Sequence, residues 1–328
     1  MVLQRAASPR TERPHGAVDG RRKYLFAAST GGHLAQLVRF SNSLDPHPDS
    51  MWITFETPQS ISLLRGKRVT YVPYIASRDY PGVARALAPI SRVLRAERFD
   101  ELISTGAALA LAAMGTAAFA GVPRTYIESV SRVEGPSLTG RILATLHLAD
   151  LYTQHAGWAG GRWKNHESVL SLFRSVPNPM PPAPDRPLRA FVTLGTIRPF
   201  RFDAVLDSLA ASGSLSEESV WQVGVTDRRD LPGRIVAQVG GDEFMEQARA
   251  ADVVVTHAGV GTILALLEAG IHPVVVPRRK ERREHVDDHQ LQISRLVARL
   301  GVATVVEADA LAEADLRRAA SLRVAPSD

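Results

Sequence analysis

Between Thr256 and Gln290 the chain reads THAGVGTILALLEAGIHPVVVPRRKERREHVDDHQ, and two kinds of binding chemistry fall within that one stretch. The first is a turn. His257, Ala258, Gly259, Val260, Gly261 and Thr262 lie between a β-branched run, Asp252 to Thr256, and an apolar run, Ile263 to Leu267, which reads as strand, small-residue turn and helix. Glycines at 259 and 261 let a backbone approach a ligand, and the unpaired N–H groups of a helix start, with their partial positive charge, suit a pyrophosphate. His257 and Thr262 add side-chain donors. The second is a polar cluster, Glu284, His285, Asp287, Asp288, His289 and Gln290, whose side chains suit sugar hydroxyls. A glycine-rich turn alone is as well explained by tight packing of helix on strand; the cluster beside it points to a nucleotide-sugar.

Both segments follow strands, and in an open α/β sheet ligands sit outside the carboxyl ends of the strands. The rhythm of the chain supports such a sheet twice over. Strands are expected at Tyr24 to Ala28, Met51 to Phe55, Val69 to Val72, Glu101 to Ser104 and Arg124 to Glu128. Helices are expected from about Leu34, over 83 to 98, and over the Ala-rich Ala107 to Ala120. VPNPMPPAPDRP, Val176 to Pro187, holds six prolines and reads as a linker. Strands then resume at Leu188 to Leu194, Val220 to Val225, Ile235 to Val239, Asp252 to Thr256, Pro273 to Val276 and Val302 to Val306. The expected organisation is a basic tail over 1–23, a Rossmann-like domain over 24–180 and a second over 187–328. The two are expected to face each other across a cleft. Each half opens on a strand and a small-residue turn, Ser29-Thr30-Gly31-Gly32 and Thr193-Leu194-Gly195-Thr196, without a convincing repeat between them.

Composition narrows the class. A chain of 328 residues with 45% hydrophobic residues supports two apolar cores, and the absence of cysteine excludes disulfides and thiolate metal sites. No apolar run approaches the ~20 residues that span a bilayer, and residues 1–20 lack a signal-peptide core, so a cytoplasmic, soluble or peripheral protein is expected. Of the net charge of +5, +4 comes from the first 23 residues, with six basic and two acidic side chains. The body is nearly neutral. It has no basic strand interleaved with aromatics and no recognition-helix signature, so no nucleic acid is expected as a partner. The tail reads as disordered, either a solvated leader or a segment drawn to an anionic membrane.

With these residues in view, the second half resembles the donor-binding domain of GT-B glycosyltransferases. It is most similar to the catalytic subunit of the two-subunit enzyme that adds the second GlcNAc to dolichol-linked oligosaccharide, through VTHAGVGTIL, VVVPRRK and EHVDDHQL. The first half resembles the membrane-recruiting subunit of that enzyme, through ASTGGHLAQL (Ala28 to Leu37) and YIESVSRVEGPSLTGRIL (Tyr126 to Leu143). The chain thus looks like a fusion of the two, similar to bacterial capsular and exopolysaccharide transferases and more distantly to the peptidoglycan GlcNAc transferase.

The resemblance implies a GT-B fold and a UDP-sugar donor whose diphosphate is held by His257, Gly259, Gly261 and Thr262, with Thr196 counted among the same donor-binding residues. Asp288, His289 and Gln290, with Glu284 beside them, would meet the sugar. Many GT-B enzymes carry a ribose-binding glutamate eight positions after the turn histidine; here that position is Ala265, and Glu268 is the substitute within reach. On the acceptor side, Gly31, Gly32 and His33 form a glycine turn suited to phosphate. His33 is one candidate base and Glu128 the other, with Ser129 and Arg132 in the same loop; a cap or phosphate contact for His33 and a Glu128–Arg132 ion pair are the competing roles. The implied reaction is inverting hexosyl transfer from a UDP-sugar to a lipid-diphosphate-linked saccharide at the inner face of the membrane. No cofactor is implied, and no metal, since Asp287 and Asp288 are adjacent rather than spaced. A UDP-sugar 2-epimerase and a non-catalytic nucleotide-sugar-binding module are the alternatives. Arg278, Arg279, Lys280, Arg282 and Arg283 read as a solvated run or a headgroup contact. Arg85, Arg92 and Arg95 beside Leu87, Ile90 and Leu94 form a possible interfacial face, interrupted by Pro89.

Overall fold

A computed structural model describes residues 20–76, 79–195, 199–284 and 289–327, with the backbone alone at His289. Thr196, His285, Asp287 and Asp288, the His289 side chain and most of the basic tail therefore lie outside the described residues.

The chain divides into two compact units, Met1–Val169 and Leu170–Asp328. The first contains β1 (Tyr24–Ala28), α1 (Gly32–Ser43), β2 (Met51–Thr54), α2 (Pro58–Leu63), β3 (Arg68–Tyr71), α3 (Tyr80–Ala96) and β4 (Glu101–Gly106). It continues through α4 (Ala108–Phe119), β5 (Arg124–Ile127), α5 (Leu138–Thr145), β6 (Asp150–Thr153) and β7 (Trp163–Asn165). Its strands form one parallel sheet in the order β3-β2-β1-β4-β5-β6-β7. β1 is buried at all of its positions because it lies between β2 and β4, with Leu25 beside both Met51 and Leu102. In α4, Ala110, Ala112, Ala113 and Ala117 are buried, and their small side chains let the helix lie close to the sheet. α3 continues through Pro89 rather than stopping there. Ala86 and Ile90 fix its inner face in the core, while Arg85, Arg92 and Arg95 are exposed. Of the three apolar side chains of the expected interfacial face only Leu87 is exposed; Leu94 is half-buried and Ile90 fully buried.

The second unit contains β8 (Phe173–Pro177), β9 (Ala190–Thr193), α6 (Asp203–Ala211), β10 (Val220–Gln222), β11 (Arg234–Val236), α7 (Gly241–Ala250), β12 (Val253–His257) and α8 (Val260–Glu268). It ends with β13 (Val274–Val276), α9 (His289–Arg299), β14 (Thr304–Val305), α10 (Glu313–Ala320) and β15 (Leu322–Pro326). The parallel order is β11-β10-β9-β12-β13-β14, and β15 pairs antiparallel with β8 as a separate ribbon. This ribbon places the division between units at 169/170, upstream of the proline-rich segment. Phe173–Pro177 belongs to the second unit because its partner strand is the last one in the chain. Val253 to Val255 and Val274 to Val276 are buried at the centre of the sheet, and Trp221 is enclosed with its indole N–H donating to the Pro232 carbonyl at 2.6 Å. Burial of each such large apolar side chain stabilises the unit by about 1.5–3 kcal/mol.

In both sheets the strand order reverses beside the first strand, between β1 and β4 in one and between β9 and β12 in the other. Such switch points open a crevice at the carboxyl ends of the strands. Gly31, Gly32 and His33 follow β1, and His257 ends β12.

Candidate functional site

In the first unit Gly31 precedes α1 with φ +82°, a backbone that favours glycine, and His33 follows in the first turn. The His33 imidazole Nδ1 lies 2.7 Å from the Thr105 carbonyl, and the Thr105 hydroxyl donates to the His33 carbonyl at 2.7 Å. A carbonyl only accepts, so Nδ1 carries the proton and the neutral ring keeps its lone pair on Nε2. Burial lowers the His33 pKa below 6.5, against the opposing pull of the Thr105 bond and the Glu128 charge, so the ring is neutral at pH 7. Gly106, with φ +125°, makes the site for the ring: a Cβ there would lie 2.8 Å from the His33 Cε1 and 2.9 Å from Nδ1.

The loop after β5 reaches the same turn through a buried amide. Gln36 Nε2 donates to the Gly32 carbonyl at 2.9 Å and to the Ser129 hydroxyl at 3.1 Å. Its Oε1 accepts from the Val130 N–H and from Gln154 Nε2, both at 2.9 Å. Gly31, Gly32, His33, Glu128 and Ser129 are thereby brought together, and Arg132 follows in the same loop, its N–H donating to the Ser129 carbonyl at 2.9 Å. The Glu128 carboxylate is 1% exposed and faces inward. It accepts from the Tyr126 hydroxyl and the Ser129 N–H, each at 3.1 Å, and from the Ser137 N–H and hydroxyl, each at 2.9 Å. Four donors on two oxygens leave this group suited to holding the loop, whereas His33 keeps a basic nitrogen for another partner.

In the second unit His257 ends β12 and Gly259, which has no side chain to cap with, precedes α8, whose first turn holds Val260, Gly261 and Thr262. Gly259 has a steric purpose that its place in a phosphate-type turn did not reveal. A Cβ at 259 would lie 2.3 Å from the His257 Nε2, and one at Gly195, where φ is +75°, would lie 2.7 Å from its Cε1. The imidazole is thus packed against two glycine backbones at the start of α8. Glu268, the expected substitute for a ribose-binding group, is exposed at the opposite end of that helix, about 9 Å along the axis from Thr262. Ala265 lies between them and is half-buried.

β13 runs beside β12 with Val276 opposite His257, so the segment after β13 emerges at the same edge. Here the sequence expectation for the basic run is corrected. Arg278 is 1% exposed and turned into the protein, donating from Nη1 to the Phe200, Arg201 and Glu284 carbonyls and from Nη2 to that of Leu194. It cannot meet a headgroup. Arg279 pairs with Glu307 at 2.7 Å and Arg282 with Asp309 at 2.9 Å, because the segment after β14 brings two carboxylates to the run. Glu284 is buried too; its Oε2 accepts from the Arg279 N–H at 2.9 Å, and burial raises its pKa. Gln290 Oε1 accepts from the Arg278 N–H at 3.0 Å, which leaves Nε2 as the donor it can offer a ligand. A cavity of about 500 Å³ opens alongside, lined by residues that include Arg201, Arg282, Arg283 and Glu284.

Thr105, Gly106, Gln36 and Ser137 complete these sites and were not anticipated, and Gly195 reads in the sequence only as part of a small-residue turn. One signal was available. Ser104-Thr105-Gly106 repeats the Ser29-Thr30-Gly31 triplet at the end of an adjacent strand.

Residues 237–320 match the glycosyltransferase family 28 C-terminal domain, which spans α7 to α10 and contains both the His257 turn and Gln290. Over 326 aligned residues the chain is 25% identical to a UDP-N-acetylglucosamine–N-acetylmuramyl-(pentapeptide) pyrophosphoryl-undecaprenol N-acetylglucosamine transferase of Coxiella burnetii (strain Dugway 5J108-111), covering 90% of this chain and 87% of that one. Among solved structures it is similar to MurG of Acinetobacter baumannii, with a TM-score of 0.55, 18% identity and coverage of 90% and 89% of the two chains. It is also similar to the glycosyltransferase SnogD of Streptomyces nogalater, with a TM-score of 0.53, 19% identity and coverage of 92% and 93%. The fold, two Rossmann-like parallel-sheet units, is that of the GT-B glycosyltransferases, and residues 237–320 form a glycosyltransferase domain.

Proposed function

We propose that the protein is an inverting glycosyltransferase that moves a hexosyl unit from a UDP-sugar to a saccharide carried on a lipid diphosphate, in cell-surface polysaccharide or glycolipid assembly at the inner face of the membrane. One observation carries the reading. The His257 turn and Gln290 share the carboxyl edge of the neighbouring strands β12 and β13, inside the stretch that matches a glycosyltransferase domain. The lipid-linked acceptor is supported by the Coxiella relative, whose name specifies a pyrophosphoryl-undecaprenol substrate. Resemblance of the two halves to the two subunits of the dolichol-linked-oligosaccharide enzyme supports a fused capsular or exopolysaccharide enzyme, peripheral at the membrane. Among the described residues no helix is long and apolar enough to cross it.

In the reaction the acceptor hydroxyl oxygen bonds to the anomeric carbon from the face opposite the nucleotide. The bond from that carbon to the diphosphate oxygen breaks and its electrons leave with UDP. The hydroxyl proton passes to Nε2 of His33, whose tautomer is set by Thr105. The N–H groups of Val260, Gly261 and Thr262 and the His257 imidazole take the negative charge that develops on the leaving group. Gln290 and Glu284 bind sugar hydroxyls; Thr196, Asp288 and His289 are assigned to the donor as well, and Glu268 stays the candidate for the ribose. Gly31, Gly32, Ser129 and Arg132 serve the acceptor, and Glu128 serves as the group that shapes their loop.

The test is UDP release from UDP-sugars with lipid-diphosphate saccharides. Turnover that requires the acceptor, inverts the anomeric configuration by NMR and survives EDTA supports the reading. Conversion of UDP-GlcNAc without acceptor would identify an epimerase, and tight UDP binding without turnover on any acceptor a binding module.

A further inference from the structure

One heavily engaged side chain of the second unit belongs to no role assigned above. Arg278 follows β13 by two residues, and its guanidinium donates to four backbone carbonyls from three separate places. Leu194, at 2.8 Å, lies just after β9; Phe200 and Arg201, at 3.1 and 3.3 Å, lie just before α6; Glu284, at 3.0 Å, closes the turn after β13. The Arg278 N–H adds a fifth anchor, the Gln290 side chain at the start of α9. The Phe202 ring lies beneath the guanidinium, 4.8 Å from Cζ. No carboxylate among the described residues forms an ion pair with it.

Such a cation is an expensive filler. Burial drives its pKa from 12.5 to about 10, and an apolar side chain would occupy the space without that cost. What an apolar side chain, or a lysine, lacks is the planar fork that reaches several carbonyls at once. The anchor points also fall in a pattern. Leu194 and Phe200 bracket residues 195–199, and Glu284 and Gln290 bracket residues 285–289. The same carbonyl of Leu194 precedes Gly195, whose backbone packs on the His257 ring. One side chain therefore ties the diphosphate turn to the sugar-binding segment.

We infer that Arg278 is a positioning residue for the donor: it ties the end of β9 and the approach to α6 to Glu284 and to Gln290 at the start of α9, so that His257 meets the diphosphate and Gln290 the sugar of one donor. The inference rests on the proposed function of this edge. Without the fork, these anchor points must be brought together on ligand binding, so the loss falls on donor affinity rather than on proton transfer at His33.

The experiment compares Arg278→Lys and Arg278→Met with wild type by calorimetric UDP binding and steady-state kinetics. Expected are a roughly 10- to 100-fold rise in UDP Kd and in donor KM, a much smaller change in kcat, and an unchanged acceptor KM. Millimolar guanidinium restores UDP binding to Arg278→Gly and has no such effect on wild type. Phe202→Leu, a milder change, keeps the inference testable if the arginine variants do not fold: a rise in UDP Kd of about fivefold supports it and an unchanged Kd overturns it. A cooperatively folded Arg278→Met with UDP Kd and donor KM within twofold of wild type also overturns it. Wild-type protein that binds no UDP would instead remove the functional reading beneath it.

Discussion

Each unit sets a histidine against a left-handed glycine across the reversal point of its sheet, but the two partners have exchanged strands. In the first unit the histidine, His33, follows the first strand and the glycine, Gly106, ends the fourth. In the second the glycine, Gly195, follows the first strand and the histidine, His257, ends the fourth. The means of holding the ring differ as well. His33 is fixed by a hydrogen bond on Nδ1, which selects a tautomer and leaves Nε2 able to take up a proton. His257 is crowded by glycine backbones on two sides, which fixes a position beside a helix start. One arrangement suits moving a proton, the other suits meeting an anion. The exchange also explains why no repeat joins the halves: equivalent places in the fold are filled from non-equivalent places in the chain.

The sharpest way to break this contrast is to remove each ring. His33→Ala is expected to lower kcat by about 10²- to 10⁴-fold with UDP Kd unchanged, whereas His257→Ala is expected to raise UDP Kd by about tenfold, read by calorimetry beside initial rates. Equal effects of the two on UDP binding would end the division of labour.

Displacing the rings instead of deleting them comes next. Gly106→Ala and Gly195→Ala each place a Cβ inside 3 Å of an imidazole at a positive φ. The first is expected to slow turnover by about tenfold at saturating donor, the second to raise UDP Kd by several-fold, and each to cost about 1–2 kcal/mol in thermal or denaturant unfolding. If Gly106→Ala keeps full kcat, the ring it touches is not the base.

Acid should separate a working histidine from a structural one. His33 must be neutral to accept a proton and its pKa is lowered by burial, so kcat/KM should fall only below pH 6.5 as the ring takes up a proton; a limb above 6.5 points to another base. His272, buried in the second unit, bonds Ser175 at 2.7 Å through Nδ1 and Thr304 at 3.1 Å through Nε2, and burial lowers its pKa to about 4. Its folded pKa is below the unfolded 6.5, so its contribution is complete above pH 6.5 and is lost as pH falls toward 4. The loss should approach about 2–3 kcal/mol in denaturant titrations at pH 7 and 4.5, and His272→Gln should flatten it.

Much of this was readable from residue order. The central strands announce themselves as β-branched runs, since a parallel sheet buries both faces, and Gly31 and Gly259 mark turns whose geometry is local. What could not be read depends on partners far along the chain. Nothing around Arg278 distinguishes it from its solvated neighbours, because its burial is decided by carbonyls about eighty residues upstream. Glu128 looks like a free base until Ser137 and Tyr126 fold onto it. Val176 and Pro177 read as the start of a linker, and only the distant Leu322–Pro326 makes them the end of a strand, Phe173–Pro177.

That last pairing orders events during synthesis. The ribbon strand at 173–177 is synthesised before almost all of the second unit and its mate at 322–326 after it, so this contact of high sequence separation can form only once the segments between them have been translated. The first unit has no such wait: its seven strands are complete by Asn165, and it can be native while its companion is still being translated.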